Sequence, residues 1–405
     1  MNPQSPYKVL VLSRNYPNDV TPILGLWVEG LVRHVSKICE IKVVAPTPYC
    51  PPLPGFTGFT KFRSVERKQN VDGVEVLHPR FLTGPGYSTY NLESNLYFWS
   101  ICRQVDRLRE DFHFDVIHAY FGYPDGVVAA KLAARYKVPF IITEQASWIP
   151  WMDNYPRVRQ QAVWAASRCA FHVSVSNFTK KTIAHFTGNN DKLRVVPNGV
   201  DGNVFTPLKN GGQINPNQIL YVGLTRHVKG IDVLLKAMQE VIKQKPEIKL
   251  VLVGGGFYRD YQAKEAELRQ LAQNLGVEKN IEFAGMKPPP EVANYMRESA
   301  LLILPSRTET FGAVLVEALA CGTPVLATRC GGPEDIVNET VGRLVPKEDP
   351  ESLADAIVDL TNHRDKFNSA ELRNYALNNF SWGQIAHQMV ELYGQAINSE
   401  NQLCN

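Results

Sequence analysis

Two glutamates eight residues apart, Glu309 and Glu317, flank a glycine that follows an apolar run. The run 301–304 predicts a strand, and Gly312 before Ala313 predicts a turn that opens a helix. The first N–H groups of a helix have no partner within it, and with the helix dipole they favour phosphate. Glu317, about one turn into the helix, would then accept hydrogen bonds from ribose hydroxyls, and Glu309 would face the group beyond a diphosphate. The alternative is two solvated acids that interact with the dipole.

Three further glycine turns follow predicted strands in the same half of the chain. The first, 223–230, contains Arg226 and Lys229, and the others are 254–256 and 331–332. Open α/β sheets bind ligands at the carboxyl ends of their strands. Glycine turns that carry acids and cations at such an edge predict a nucleotide pocket. The dinucleotide fingerprint G-x-G-x-x-G is absent from these turns, which disfavours hydride transfer with a nicotinamide.

The elements that position these residues belong to two domains. A chain of 405 residues exceeds the size of one hydrophobic core, which stops growing near about 250 to 300 residues. β-branched runs alternate with periodic segments in both halves, which predicts an α/β protein with two doubly wound parallel sheets. The segment 189–217, which ends in a polar run at 210–217 rich in Gly, Asn and Pro, predicts the domain boundary. We therefore expect domains at 1–205 and 206–380, with a C-terminal helix in 381–405 that packs back on the first domain.

Composition excludes several classes of protein. A net charge of +3, from 43 basic and 40 acidic residues, is too balanced for a nucleic-acid-binding protein. The apolar run Val9–Leu12 is too short to span a membrane and predicts a buried strand. Seven cysteines without a C-x-x-C pair argue against a disulfide framework or a zinc site. We therefore expect a cytoplasmic protein, and Lys180 and Lys181 suggest peripheral contact with the inner membrane face, although a solvated face is the alternative.

Taken together, the motifs resemble those of the retaining glycosyltransferases of the GT-B fold, family 4 (glycosyl transferases group 1) type. The resemblance covers nearly the whole chain and is carried by the segments 196–201, 222–230, 309–317, 320–325 and 331–332. It implies two Rossmann-like domains that face a central cleft. The C-terminal domain would bind a UDP- or GDP-linked sugar, and the N-terminal domain a carbohydrate or lipid-linked acceptor. Transfer would retain the anomeric configuration and need no metal or other cofactor.

The resemblance also implies roles for single residues in the donor site. Glu317 would bind the ribose, Glu309 would face the transferred sugar, and Lys229 with Arg226 would neutralise the diphosphate. Backbone groups would complete the donor site at Phe311, Gly312, Ala313, Val314, Leu315, Gly223, Gly254 and Gly255.

Two positions depart from the family pattern. Leu224 stands where the family usually has arginine, and Gln145 stands where it commonly has a histidine that contacts the donor sugar. Glutamine can donate a hydrogen bond to a hydroxyl but cannot become a cation. We keep Gln145 as a candidate catalytic residue with this restriction.

Further candidates lie in the N-terminal half. His118 ends a predicted strand and is a candidate for contact with substrate, although a structural histidine bonded within the protein is the alternative. Gly25, Glu144, Trp148 and Trp151 are candidates for the acceptor side, and for the aromatic residues ordinary packing is the alternative.

Three functions remain open on the sequence. The first is a glycosyltransferase, and the second is a non-catalytic nucleotide-sugar-binding subunit, suggested by Leu224 and Gln145. The third is a sugar-nucleotide 2-epimerase, which shares the two-domain fold but is disfavoured by the motif set.

Overall fold

The computed structural model describes residues 6–49, 57–84, 89–145, 149–188, 191–208, 213–256 and 261–404, without the side chains of 57–59, 149–151, 261–262 and 401–404. Contacts divide the chain into two compact units, Met1–Gly199 with Trp382–Asn405, and Val200–Ser381. The boundary after Gly199 lies a few residues before the expected one between residues 205 and 206. The C-terminal helix belongs to the first unit.

The first part of the chain alternates strands and helices. Its strands are β1 (Lys8–Leu12), β2 (Glu40–Val44), β3 (Thr47–Tyr49), β4 (Lys68–Val71), β5 (Val74–Leu77), β6 (Arg80–Leu82), β7 (Val116–Tyr120), β8 (Phe140–Glu144), β9 (Phe171–Ser174) and β10 (Leu193–Val195). Its helices are α1 (Leu26–Val35), α2 (Glu93–Asp111), α3 (Val127–Tyr136), α4 (Pro156–Arg168) and α5 (Asn177–Thr187).

The second part repeats this alternation and ends in helices. Its strands are β11 (Asn215–Leu224), β12 (Lys249–Gly255), β13 (Ile281–Gly285), β14 (Ser299–Leu304), β15 (Val325–Thr328) and β16 (Gly342–Val345). Its helices are α6 (Ile231–Gln244), α7 (Tyr261–Asn274), α8 (Pro289–Glu298), α9 (Ala313–Ala320), α10 (Pro350–Asn362), α11 (Ser369–Phe380) and α12 (Trp382–Cys404).

The first unit is built on an 8-stranded sheet in the order β10-β9-β8-β7-β1-β2-β5-β4, parallel except for β4. Its central strand β1 is apolar on both faces, as a strand covered by helices on both sides requires. Val9 and Val11 pack in one cluster with α1 and α12. Leu10 and Leu12 pack in another with α2, α3 and α4. The run Val9–Leu12 is thus the buried strand that the sequence predicted.

The second unit is built on a 6-stranded parallel sheet in the order β13-β12-β11-β14-β15-β16. In β14, Leu301 and Ile303 pack in a cluster with α6 and α10. Leu302 and Leu304 alternate with them and are equally buried, and α8 and α9 contact the same strand. Both units are therefore Rossmann-like, which confirms the predicted α/β fold class. Within the described residues, no helix combines the length and the apolar character that crossing a membrane requires.

Candidate functional site

A glycine turn connects β14 to α9 at the carboxyl edge of the second sheet. Gly312 has a φ of 98°, and a Cβ there would lie 3.1 Å from Leu315 Cδ1. The N–H groups of Ala313 and Val314 donate to no other described residue, whereas Leu315 N–H donates to the Gly312 carbonyl at 2.9 Å. Phe311 is buried and packs edge-on against Phe380. Among the described residues, the predicted amide of Leu315 therefore has a partner, whereas those of Phe311, Gly312, Ala313 and Val314 donate to none and leave hydrogen bonds for an anion.

The loop after β15 packs against this turn. A Cβ on Gly332 would lie 2.4 Å from Phe311 Cα, so only glycine allows this approach. Gly332 N–H donates to the Glu309 carbonyl at 2.8 Å, and Glu309 N–H donates to the Cys330 carbonyl at 3.2 Å. These contacts fix the backbone that carries Glu309.

The turn after β11 brings Lys229 to Glu309. Gly230 has a φ of 67°, and a Cβ there would lie 2.0 Å from the Pro305 carbonyl oxygen, so the turn is pressed against the end of β14. Lys229 Nζ lies 2.5 Å from Glu309 Oε2, and Ser306 Oγ donates to the same oxygen at 3.4 Å. Only 22% of the Lys229 side chain and 13% of the Glu309 side chain are exposed. The predicted cation and the predicted acid therefore form one mostly buried pair.

Arg307 ties these two turns together. Its guanidinium donates two hydrogen bonds of 2.8 Å to Asp232, at the start of α6, and one of 2.6 Å to the His227 carbonyl. These hydrogen bonds hold the pKa of Asp232 below its usual range. The sequence reasoning missed this pair. The sequence contained a signal for it. Arg307 follows the predicted strand 301–304, and Asp232 follows the turn after the predicted strand that ends near residue 222, so the two opposite charges could be neighbours.

Arg226 is separate from this pair. Its side chain is exposed and makes no hydrogen bond or ion pair with another described residue. Leu224, the residue that replaces the family's arginine, ends β11. Of the two cations that the sequence assigned to the diphosphate, only Lys229 lies against Glu309.

Glu317 lies in the middle of α9 and is half-buried. Its carboxylate accepts no hydrogen bond and forms no ion pair within the described part of the chain. Burial alone raises its pKa to about 7. Its oxygens are not among the fully buried polar atoms without a partner, so solvent reaches them. This exposure leaves Glu317 available to hydroxyl donors of a ligand.

The ends of β11 and β12 meet at the same edge of the sheet. Gly223 pairs with Gly254, and Leu224 with Gly255. A Cβ on Gly254 would lie 1.8 Å from the Gly223 carbonyl oxygen, and Gly254 has a φ of 141°. Thr225 N–H donates to the Gly255 carbonyl at 2.9 Å. The three predicted glycines therefore lie together where the paired strands end, and a side chain on Gly254 would clash with the backbone of Gly223.

His118 lies inside the first unit. Its Nδ1 is 2.7 Å from the Tyr393 hydroxyl, and its Nε2 is 2.8 Å from Thr143 Oγ1. The ring stacks on Tyr120, and burial lowers its pKa to about 3. Because both nitrogens are occupied and the ring is 1% exposed, the structure contradicts the substrate role predicted for His118 and supports the structural alternative.

Glu144 and Gln145 follow β8, and both are engaged within the first unit. Glu144 is buried and accepts a hydrogen bond of 3.0 Å from Gly122 N–H. The Gln145 amide forms two reciprocal hydrogen bonds with the Asn198 amide, at 2.8 and 2.9 Å. Glu144 therefore stabilises a neighbouring loop instead of lying free for an acceptor. A contact between Gln145 and a donor sugar stays a prediction.

The remaining acceptor-side candidates are Gly25 and two tryptophans. Gly25 precedes α1 with a φ of 83°, and a Cβ there would lie 2.0 Å from the Asn15 carbonyl oxygen. It thus lets α1 begin close to the loop after β1. Trp148 and the side chain of Trp151 lie outside the described residues.

Two family models match the chain. Glycosyltransferase Family 4 matches residues 28–203, and Glycosyl transferases group 1 matches residues 207–378. Among curated relatives, D-inositol 3-phosphate glycosyltransferase of Corynebacterium glutamicum is 28% identical over 316 residues, which cover 72% of this chain and 75% of the relative. D-inositol 3-phosphate glycosyltransferase 1 of Catenulispora acidiphila is 30% identical over 313 residues, which cover 72% and 74%.

Solved structures with the same fold have lower sequence identity. Sucrose-phosphate synthase from Thermosynechococcus elongatus has a TM-score of 0.78 and 19% identity, covering 97% of this chain and 100% of that chain. Anabaena HepE in complex with UDP and glucose has a TM-score of 0.71 and 20% identity, covering 95% and 98%. At these identities the similarity shows the fold alone.

Proposed function

The chain belongs to the family 4 type of glycosyltransferases with the GT-B fold, and we propose that it transfers a hexosyl group from a UDP- or GDP-linked sugar to a carbohydrate or lipid-linked acceptor. We assign the donor to the second unit and the acceptor to the first. We further propose that the reaction retains the anomeric configuration, takes place in the cytoplasm, and involves peripheral contact with the membrane.

The donor assignment depends on groups that recognise a nucleotide diphosphate. The free N–H groups of Ala313 and Val314 and the dipole of α9 favour an anion at the start of that helix. Lys229, in the adjoining turn, supplies a cation that is paired with Glu309 and that a diphosphate would share with this acid. Glu317 offers two carboxylate oxygens, which accept hydrogen bonds and suit the paired hydroxyls of a ribose.

The chemistry requires that negative charge on the departing diphosphate be stabilised. Lys229 and the amides of α9 are fixed before the reaction, and preorganised donors of this kind are the largest single contribution in many enzymes. Because the Lys229 ammonium and the dipoles of these amides can stabilise the leaving group, we propose that transfer needs no metal ion. Glu309, bonded to Lys229, is assigned to the side of the transferred sugar.

Names of similar proteins support the donor class. One structural neighbour, Anabaena HepE, was solved in complex with UDP-glucose. The curated relatives are named D-inositol 3-phosphate glycosyltransferases. The proposal of a uridine diphosphate is supported by HepE, and that of a uridine or guanosine diphosphate by the family.

One observation carries the proposal: the half-buried carboxylate of Glu317 has no hydrogen-bonding partner among the described residues, although the neighbouring Glu309 is paired. In a titration with UDP- and GDP-linked hexoses, Glu317→Ala is expected to raise the donor Kd about tenfold or more, since hydrogen bonds to a charged group contribute about 1.5 to 3 kcal/mol. Glu351→Ala, which removes an exposed glutamate from α10, is the matched control. Equal affinity of the two variants would contradict the ribose assignment.

Turnover separates the enzyme from its alternative. Transfer to an acceptor extract, or slow hydrolysis of the donor, is expected from the wild-type protein. The anomeric configuration of the product, measured by NMR, tests retention. Tight donor binding without either reaction would favour the non-catalytic nucleotide-sugar-binding subunit.

A further inference from the structure

The first unit contains a cavity of about 280 Å³ that none of the assigned residues explains. It lies at the carboxyl ends of β1 and β2 and reaches the start of α2, which is the edge where doubly wound sheets bind ligands. Its volume falls just below the range of about 300 to 1,000 Å³ typical of small-molecule sites. The cavity therefore suits a single ring. Residues that decide its chemistry are Arg14, Asn15, Thr21, Phe62, Tyr90 and Glu93.

The charges that line the cavity cancel. Arg14 forms an ion pair with Glu93, which is 5% exposed. The backbone N–H of Arg14, which carries no charge, donates to the buried carboxylate of Asp125 at 2.8 Å. A further cation, Arg80, donates to the Thr47 hydroxyl and to a backbone carbonyl and does not line the cavity. Among the described lining residues there is therefore no uncompensated cation, which a phosphate group would require.

Neutral polar groups in the lining remain available. Thr21 Oγ1 is buried and forms no hydrogen bond with a described residue. Its position is fixed, because Asn18 Oδ1 accepts hydrogen bonds from the N–H groups of Val20 and Thr21, both at 3.0 Å. The Asn15 side-chain amide also has no partner among the described residues. A hydroxyl and an amide both donate and accept, which is what the hydroxyls of a sugar need.

An aromatic wall completes the cavity. Tyr90 is held edge-on by Tyr123 and Tyr155, with ring centroids 5.1 and 5.2 Å away. Phe62 lies on the same lining. Rigid aromatic rings offer apolar area to the C–H face of a sugar ring, while the polar groups bond its hydroxyls.

We propose that this cavity binds one neutral, unphosphorylated sugar ring of the acceptor. Asn15 and Thr21 would form hydrogen bonds with the ring, and the Arg14–Glu93 ion pair, which has no net charge, lines the same cavity. This inference depends on the proposed glycosyltransferase function and adds the chemical class of the acceptor. It separates this chain from the relatives whose names contain D-inositol 3-phosphate.

Binding of defined sugars to the full chain tests the proposal. Methyl α-glucoside, methyl α-mannoside and methyl α-galactoside are titrated by ligand-observed NMR beside glucose 6-phosphate and mannose 6-phosphate. At least one neutral glycoside is expected to bind, and no tighter binding is expected from the phosphorylated sugars. Tighter binding of a sugar phosphate, or no binding of any neutral glycoside, overturns the proposal.

Variants link the binding to the cavity. Thr21→Val and Asn15→Leu each remove a hydrogen bond and are expected to weaken the glycoside about fivefold to tenfold. Thr182→Val is the matched control, because that hydroxyl bonds only a carbonyl of its own helix. Glu93→Gln leaves Arg14 uncompensated and is expected to favour sugar phosphates. Unchanged affinity in both Thr21→Val and Asn15→Leu would overturn the proposal.

Donor binding is measured on the same samples, so that the two proposals fail separately. A protein that binds a nucleotide sugar but no neutral glycoside keeps the proposed function and loses this inference. A protein that binds a neutral glycoside through Thr21 but no nucleotide sugar loses the proposed function.

Discussion

Lys229 Nζ lies 2.5 Å from Glu309 Oε2, so the cation that we assign to the diphosphate is held by the acid that we assign to the sugar side. The pair is mostly buried, which strengthens the attraction and orients both groups. A diphosphate that reaches Lys229 must share it with Glu309. With these proposed roles, the pair would couple the position of the leaving group to that of the transferred sugar.

Replacing Lys229 is expected to slow the reaction more than it weakens donor binding. The negative charge on the diphosphate grows in the transition state, so Lys229→Met should lower kcat about 100-fold to 1,000-fold with a small change in KM. Steady-state kinetics measures both constants. Lys236→Met, which removes an exposed lysine from α6, is the control. An unchanged kcat in Lys229→Met would remove the leaving-group role.

Glu317 should make donor binding depend on pH. Its pKa is raised to about 7, and the ionised carboxylate is the better acceptor for ribose hydroxyls. Donor affinity in the wild type should therefore rise from pH 6 to pH 8 and become less dependent on pH in Glu317→Gln. His227→Asn controls for the exposed histidine in the neighbouring turn. Equal pH profiles of wild type and Glu317→Gln would contradict the assignment.

The same shift affects stability with the opposite sign. Because the folded protein holds the Glu317 proton more tightly than the unfolded chain, this contribution is full below pH 4.5 and is lost as the pH rises through about 7. Glu317 is only half-buried, so solvent reduces the effect to the order of 1 kcal/mol. Thermal unfolding of Glu317→Gln should vary less between pH 5 and pH 8 than that of the wild type.

His118 is expected to affect stability and not turnover. His118→Gln should lower the free energy of unfolding by about 1 to 3 kcal/mol, because the buried hydroxyls of Thr143 and Tyr393 lose a partner. Unfolding monitored by circular dichroism and kcat per folded molecule are the two readouts. His113→Gln, at an exposed site, is the control. A loss of kcat at unchanged stability would restore a catalytic role.

The sign of the pH effect at His118 follows from its low pKa. The folded pKa is about 3, whereas an unfolded histidine has a pKa near 6.5. As the pH falls below about 6.5, the unfolded chain takes up a proton that the folded chain refuses, and stability decreases by about 1 to 2 kcal/mol between pH 7 and pH 5. This decrease should be smaller in His118→Gln, and it should not disappear, since burial also lowers the pKa of His172.

The sequence predicted those parts of the site that depend on local order. A strand, a glycine and a helix follow one another between residues 301 and 320, so the position of Glu309 before the helix and Glu317 within it could be inferred from spacing. Apolar runs likewise predicted the central strands. Some strands are several residues longer than the apolar runs that predict them. The ends of β11, for example, are stabilised by pairing with β12 and β14, which the local pattern does not contain.

Partners that are distant in the chain could not be inferred. His118 is bonded to Tyr393, 275 residues away, and Gln145 to Asn198, 53 residues away. Each residue taken alone fits a binding role as well as a structural one. The unit boundary shows the same limit: Val200 N–H donates to the Phe380 carbonyl at 2.8 Å, which assigns Val200 to the second unit although its sequence reads as part of the linker.

The ends of β11 and β12 approach each other closely at Gly223 and Gly254. Gly254→Ala would place a Cβ 1.8 Å from the Gly223 carbonyl oxygen, at a φ of 141°. Gly276 has a φ of 70° and open space around it, so Gly276→Ala isolates the backbone cost of about 1 to 2 kcal/mol. Gly254→Ala must also separate two paired strand ends. It should therefore lower the unfolding midpoint further than Gly276→Ala and weaken donor binding in a calorimetric titration. Equal unfolding midpoints of the two variants would show that the ends of β11 and β12 can move apart at no cost. The edge of the sheet assigned to the donor would then be less rigid than the paired glycines indicate.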